Sequence, residues 1–311
     1  MRSPFNISTV WNIDRSRTLY DSLSELNDLG FRDFELAWIP EEKFKTIKNK
    51  DVQSLVKGRV KSLHNFVPDT PVLPEGRWKG NAYRLTALEE DERKLAVKYT
   101  ARTIETAAEL GAEAVVIHLG EPVYGREMSL ELTGLFRGGL KDGKIFKELR
   151  EEIIKTRGAE IRKYYETALF SLDEINALAI KRGVKLGLET RLYYEELPGL
   201  KEFKDIFARF EGGSLYYWHD MGHARCQEEL GFVKNGEYLN AFKSRLIGMH
   251  IHDVFMLEDH RAPRLGSVNF SEFTEYFKNE KLLRVFEIHP KSTAGQVKTG
   301  KAMLEDLCSK K

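Results

Sequence analysis

The sequence predicts an α/β fold: a single (β/α)8 barrel spanning residues 1–311, with extended loops after its third and fourth strands. Three observations predict it. Eight short apolar runs, rich in Val, Ile, Leu and aromatics, alternate with longer segments of helical period. Runs of that kind suit parallel strands covered on both faces. Acidic or imidazole side chains recur at the C-terminal ends of the runs, where barrels of this design build their sites. A doubly wound sheet also alternates strand and helix, but it rarely needs eight repeats.

The first run, 5–11, leads to a helical pattern over 16–29 with Leu19, Leu23 and Leu26 on one face and Gly30 at its end. The second, 31–38, leads to a weaker helical stretch, 40–55, whose Pro40 suits a first turn. The third, 60–67, precedes a loop over 68–91 marked by Pro68, Pro71, Pro74, Gly76 and Gly80, then a helix over 92–110 stopped by Gly111. After the fourth, 112–120, come an insertion over 121–158 and a helix over 159–182 stopped by Gly183. Glycine just past the last periodic residue is the usual helix stop. The remaining runs, 184–191, 214–220, 246–254 and 282–290, alternate with helical patterns over 200–210, 227–243, 271–279 and 294–309. Both insertions follow strand C-termini and read as lids.

With 41% hydrophobic and 31% charged residues, the chain has enough apolar material for a full core and is not a disordered composition. Lys plus Arg number 49 and Asp plus Glu 48, a net charge of +1, so no global field draws it to nucleic acid or anionic lipid. A nucleic-acid partner is disfavoured on charge without being excluded. Cys226 and Cys308 make neither a disulfide framework nor a CxxC zinc pattern. No apolar stretch approaches the ~18 residues of a membrane span, and the N-terminus lacks a signal-peptide run. The expectation is a soluble cytoplasmic protein with no membrane partner, its homo-oligomeric state left open.

Strand two ends at Glu35, strand three at His64, strand four at His118 and strand five at Glu189. Asp220 and His223 close strand six, His250 and His252 strand seven, and Glu287 strand eight, while Glu258 and His260 follow strand seven. Alternate strand residues face the barrel axis. With Leu186, Leu188, Ile247, Met249, Ile251, Phe286 and Ile288 facing the helices, Glu189, Asp220, His250 and Glu287 turn inward together, and His219 turns outward. Three carboxylates and an imidazole suit Mn²⁺, Co²⁺, Mg²⁺ or Zn²⁺. Without a cation, such a cluster would suffer strong like-charge repulsion and desolvation.

At these residues the chain resembles the xylose isomerase-like TIM-barrel superfamily, which includes sugar-phosphate isomerases and epimerases, inosose dehydratase and endonuclease IV. The segments that carry the likeness are AAELGAEAVVIHLG, KLGLETR, WHDMGHA, MHIHD, HRAPRLGSVNF and VFEIHP. The resemblance to the epimerase branch implies that Glu189, Asp220, His250 and Glu287 hold one divalent metal, and that His223 and Arg261 contact substrate. The branch's Pro-Gly-x-Gly loop here reads Pro263-Arg264-Leu265-Gly266. Endonuclease IV is the rival. Its three-zinc set would map onto His64, His118, Glu189, Asp220, His223, His250, Glu258, His260 and Glu287, with one Asp replaced by Glu. Its Gly-rich stretch after the strand-five Glu is here Thr190-Arg191-Leu192-Tyr193-Tyr194.

The implied activity is a divalent-metal-dependent isomerase or epimerase of a sugar, sugar phosphate or polyol. A proton α to a carbonyl is removed and a metal stabilises the enediolate. Glu189 and Glu287 would be the base/acid pair as well as ligands, with His64 and His118 hydrogen-bonding the sugar or binding a second metal. Glu258 and His260 are further metal candidates. The alternatives are an abasic-site DNA endonuclease and a metal-dependent dehydratase on the same barrel. Trp11, Trp38 and Phe66 could floor the pocket. The P-loop-like Gly295–Lys301 lacks the Ser/Thr that would hold Mg²⁺, since Ala302 follows. Ser292, Thr293 and the last helix's N-terminus are a weaker phosphate-site candidate.

Overall fold

A computed structural model describes residues 4–122 and 125–310. Eight parallel strands close into a barrel: β1 (Asn6–Ser8), β2 (Asp33–Ala37), β3 (Val60–His64), β4 (Ala114–Ile117), β5 (Lys185–Glu189), β6 (Leu215–Asp220), β7 (Leu246–Ile251) and β10 (Leu283–Phe286). Closure comes from β1, which pairs with β2 on one side and with β10 on the other, Ile7 opposite Phe286. A two-stranded hairpin, β8 (Asp253–Phe255) and β9 (Glu258–Arg261), rises from the end of β7. The seventh apolar run, 246–254, carries residues 253 and 254 on as part of one strand, and 258–261 lie outside every expected strand.

Strand alternation sorts the side chains into two layers. Leu186, Leu188, Met249, Ile251, Phe286 and Ile288 join the large cluster that includes apolar residues of the surrounding helices. Ala114, Val116, Trp218 and Val285 form a smaller cluster of their own. Trp218 lies against the backbone of the two strands flanking β6. A Cβ on Gly248 would sit 2.3 Å from its ring, and one on Gly187 3.0 Å away. Those two glycines make room for the indole. Ile247, expected on the helix-facing side, packs against the Trp218 cluster instead. The β6–β7 register skips it, pairing Tyr217 with Leu246 and Trp218 with Gly248.

The helix Leu19–Asp28 opens on a Thr18–Asp21 capping box, and Glu90–Leu110 ends at Gly111. The final helix, Ala294–Ser309, begins where the sequence places it. Its capping box joins Thr293 to Gln296, and Ser292 Oγ accepts from the Ala262 N–H. Those groups are therefore engaged within the protein, and the P-loop-like residues lie inside the helix.

The insertion over 121–158 is mostly helical, contrary to the expected loop. The helix Arg126–Arg137 is followed by one of 39 residues, Lys144–Arg182, which absorbs Gly158. Phe146 and Ile153 pack with Leu132, and i,i+3 and i,i+4 pairs such as Arg162–Glu166 and Lys163–Glu160 line its exposed side. The single helix expected over 227–243 is split into Met221–Glu229 and Glu237–Phe242, with left-handed Gly231 and Gly236 between them. Among the described residues, no helix is long and apolar enough to cross a membrane.

Arg157 ties the insertion to the barrel. Its guanidinium grips Glu202 at 2.8 and 3.1 Å and donates to the carbonyls of Tyr194 and Glu196. Burial alone would raise the Glu202 carboxyl, but Arg157 outweighs it and holds it below its ordinary value. Arg157→Met should therefore cost about 3–5 kcal/mol in urea unfolding at pH 7, because a buried carboxylate loses its partner. A depressed carboxyl stabilises the fold above its unfolded pKa, about 4.3, so the gap between wild type and variant should close as pH falls through that region.

Candidate metal centre and cavity

A cavity of about 600 Å³ opens at the C-terminal ends of the barrel strands. Trp38, Trp78, Arg126, Arg191 and Tyr193 contribute to its lining, as do His64, His118, Glu189, His223, Asp259, His260 and Glu287. Each strand end delivers its residue at the barrel rim, so groups far apart in sequence meet.

His250 stands at the convergence. Its Nδ1 is 3.0 Å from Glu287 Oε2, 3.2 Å from Glu189 Oε1 and 3.5 Å from Asp220 Oδ2, while its Nε2 lies 3.3 Å from Glu35 Oε1. A ring nitrogen carries at most one proton, so three carboxylate oxygens around Nδ1 exceed what one N–H can satisfy. Glu35, Glu189 and Asp220 are fully buried and Glu287 is 2% exposed. This donor set fits a divalent cation.

Glu189 Oε2 draws a second set of donors. His64 Nε2 is 3.3 Å away, His118 Nε2 is in contact, and Arg191 Nη1 is 3.2 Å away. On the far side of each ring, His64 Nδ1 faces the Asn65 carbonyl at 3.2 Å and His118 Nδ1 faces Asn81 Oδ1 at 3.2 Å. A neutral His64 whose Nδ1 donates to that carbonyl turns its Nε2 lone pair toward Glu189, an arrangement suited to a cation.

The same logic sorts the neighbouring group. His223 Nδ1 donates to the Thr190 carbonyl at 3.0 Å, leaving Nε2 to face Asp259 Oδ2 at 3.4 Å. His260 reaches Asp259 with Nδ1 at 3.1 Å and Glu287 with Nε2 at 3.3 Å. His252 differs. Its Nδ1 accepts from the His260 backbone N–H, so its proton lies on Nε2, which donates to Asp220 at 2.9 and 3.0 Å. His252 thereby orients Asp220. Close His/Asp/Glu groupings thus form around two centres, one with His64, Glu189, His250 and Glu287 and one with Asp220, His223, His252 and His260.

The pKa shifts follow from the shortage of positive charge. Burial opposes protonation of His64, His223, His250 and His260, yet the surrounding carboxylates outweigh it and raise all four, His260 to about 10. Glu189, Asp220, Asp259 and Glu287 are held below their usual range despite burial, chiefly by the imidazoles. His118 is the exception: burial first and Arg191 second lower it to about 3, so it stays neutral.

Most of the residues singled out from the sequence meet here: Glu189, Asp220, His250 and Glu287, together with His64, His118, His223 and His260. Glu258 and Arg261 do not. They pair with each other at 2.8 Å, Glu258 also reaches Lys291, and Arg261 lies over Phe255. The reason is local. Leu257 and His260 have φ of +60° and +52°, which breaks strand alternation and turns the consecutive Asp259 and His260 toward the cavity. Asp259 therefore faces the cavity where Glu258 was expected to, and no periodicity could have shown it. Arg191, Arg126 and His289 were also missed as cavity residues. Arg191 had a signal, since it stands two residues after Glu189. The departure at Pro263–Gly266 still gives an ordered loop, because Asp253 accepts from the N–H groups of Val254, Arg264, Gly266 and Val268.

Comparison with known proteins bears on family and fold. The family model described as xylose isomerase-like TIM barrel matches residues 23–307. An uncharacterized protein of Sinorhizobium fredii is 24% identical over 187 residues, 59% of this chain and 49% of that protein. The chain thus spans about half the length of this curated relative. Among solved structures, a D-tagatose 3-epimerase-like protein superposes with a TM-score of 0.66 at 18% identity, covering 97% of this chain and 96% of its own. The 3-keto-D-glucoside 4-epimerase of E. coli gives 0.68 at 14% identity, covering 97% and 99%. The IolI protein with a bound zinc atom gives 0.62 at 14%, covering 98% of each chain. At these identities the likeness establishes the fold.

The exchange of Glu258 for Asp259 is open to test by metal titration. In protein stripped with a chelator, Glu258→Gln should leave Mn²⁺ and Zn²⁺ uptake unchanged, whereas Asp259→Asn should weaken one equivalent by roughly 10-fold or more, the scale seen when a group at a metal site is lost. Calorimetric titration measures both.

Proposed function

The chain belongs to the xylose isomerase-like TIM-barrel family, and on that premise we propose that it is a divalent-metal-dependent sugar isomerase or epimerase. The observation that carries this reading is the placement of Glu189 and Glu287. Both line the cavity, both are ionised, and their oxygens belong to one grouping with His64 and His250 whose ligand atoms all lie within 4.8 Å of one another. Glu189, Asp220, His250 and Glu287 would hold the metal, which when bound polarises a carbonyl and its neighbouring hydroxyl.

The chain's own residues do the rest. One of Glu189 and Glu287, ionised, takes the proton α to the substrate carbonyl. Isomerisation is completed when that same carboxyl hands the proton to the adjacent carbon, and epimerisation when the other carboxyl, having first taken up a proton from solvent, gives it to the opposite face. His223, fixed by the Thr190 carbonyl, presents Nε2 to the cavity and can hold a substrate oxygen. Arg191 braces Glu189 and Glu196 at 3.2 Å each and keeps the Glu189 carboxylate aimed. Trp38, Trp78 and, from the inserted helix, Arg126 complete the cavity wall. The partner is a small sugar, with or without a phosphate.

A second reading has an observation of its own. The Asp220–His223–His252–His260 grouping, with Asp259 3.4 Å from His223 and 3.1 Å from His260, would offer a further cation site beside the first, and several metals side by side suit phosphodiester hydrolysis. An abasic-site nuclease would lose DNA affinity steeply with added salt, and nicking assays over a salt series separate it from a sugar enzyme.

Solvent-deuterium exchange at the substrate α-carbon, followed by NMR across ketoses and aldoses with Mn²⁺, Co²⁺, Mg²⁺ or Zn²⁺ present, tests the main reading. Glu189→Gln and Glu287→Gln should each slow exchange by about 10²–10⁴-fold with the circular dichroism spectrum unchanged. Exchange at the wild-type rate in either variant would remove that residue from the proton-transfer role.

A further inference from the structure

The cavity has one wall unlike the rest. Trp38 follows β2 directly and stands edge-on to His64, ring centroids 5.8 Å apart. Trp78, from the loop after β3, meets Trp38 at 5.6 Å and 82°, so the two indoles form a corner. Trp78 also lies 5.4 Å from His118. This corner borders the two histidines that face Glu189, and both rings line the cavity.

Keeping the corner costs the fold something. Trp38 has φ of +50°, a left-handed conformation that a bulky residue adopts only when its surroundings impose it. Its indole nitrogen is buried without a hydrogen-bond partner, a further cost. Trp78 is 39% exposed, an unusual place for an indole that only fills space. Its ring folds back over Gly80, where a Cβ would sit 2.1 Å from the ring, so only glycine permits this pose. Lys79, between them, is pinned to Asp14 at 2.6 Å and to Asp69 at 3.8 Å. Neither ring belongs to the large apolar core.

We propose that Trp38 and Trp78 are a ligand-binding subsite that takes the C–H face of a polyhydroxylated substrate, leaving its hydroxyl and carbonyl edge toward Glu189 and Glu287. This inference rests on the sugar-enzyme reading above. Its physical basis is that a sugar collects C–H groups on one face, and these gain on leaving water for an aromatic surface, while its oxygens need the polar floor. The subsite acts on binding. Its loss therefore raises KM and leaves kcat nearly unchanged, because the corner holds ground state and transition state alike.

The chain has four tryptophans, and Trp11 and Trp218 are 1% and 0% exposed. Because Trp218 still stands 5.2 Å from His250, an emission change is assigned to Trp38 and Trp78 by its reduction in their variants. The experiment titrates the intact protein, metal-free and Mn²⁺-loaded, with D-fructose and D-tagatose, and measures KM and kcat for whichever sugar turns over. Wild type should show a saturable emission change. Trp78→Ala, which leaves the core intact, and Trp38→Ala should weaken binding and raise KM about tenfold with kcat within a few-fold. Trp38→Phe and Trp78→Phe, which keep a ring, should recover most of the loss. Trp38→Phe and Trp78→Ala keep the test sound if Trp38→Ala does not fold. Unchanged affinity and KM in the alanine variants, with sugar still turned over, overturn the subsite and leave the enzyme reading standing. A wild type that neither binds nor turns over any sugar overturns both.

Discussion

The structure depends on an electrostatic constraint: six carboxylates from five separate segments of the chain are drawn together where water is scarce. Glu35, Glu189, Asp220 and Glu287 are almost wholly removed from solvent, and Asp259 and Glu196 lie beside them. Repulsion among such groups is unfavourable unless positive charge lies among them. Arg191 supplies part of it. The imidazoles supply more, by taking protons that burial alone would deny them. A divalent cation would do the same work with better geometry, since His64, His118 and His223 already have their far nitrogens committed to Asn65, Asn81 and Thr190.

The barrel makes that concentration affordable. Strands β5, β6 and β7 stand side by side, so Glu189, Asp220 and His250 arrive from neighbouring registers, Asp220 directly opposite His250. Trp218, seated against Gly187 and Gly248, packs the layer below. An apolar plug under a charged floor stiffens the ligand set and lowers its dielectric, which strengthens every interaction with a bound ion. Around the rim, the connections complete the lining. The helix Arg126–Arg137 after β4 brings Arg126, the loop after β3 brings Trp78, and the hairpin after β7 brings Asp259 and His260.

Much of this was legible in the sequence because it follows from period and parity. Eight apolar runs gave the strands, and alternate positions turned Glu189, Asp220, His250 and Glu287 inward. What escaped is what departs from period. Positive φ at Leu257 and His260 put Asp259 in the cavity instead of Glu258, and left Arg261 against Phe255. Ile247 changed sides where the β6–β7 register slips by one residue. The insertion after β4 read as a loop because its helical pattern is mostly charged, and its few apolar contacts, Phe146 and Ile153 with Leu132, are tertiary. The tautomers that separate His252 from its neighbours depend on backbone partners that no spacing rule reveals.

The most direct measurement is anomalous diffraction from crystals soaked with Mn²⁺ or Zn²⁺, with data collected at the edge of each metal. The account predicts a strong peak bound by Glu189, Asp220, His250 and Glu287, with His250 Nδ1 about 2.0–2.3 Å from the ion. An empty map at that position, with His250 still hydrogen-bonded directly to the carboxylates, would contradict it.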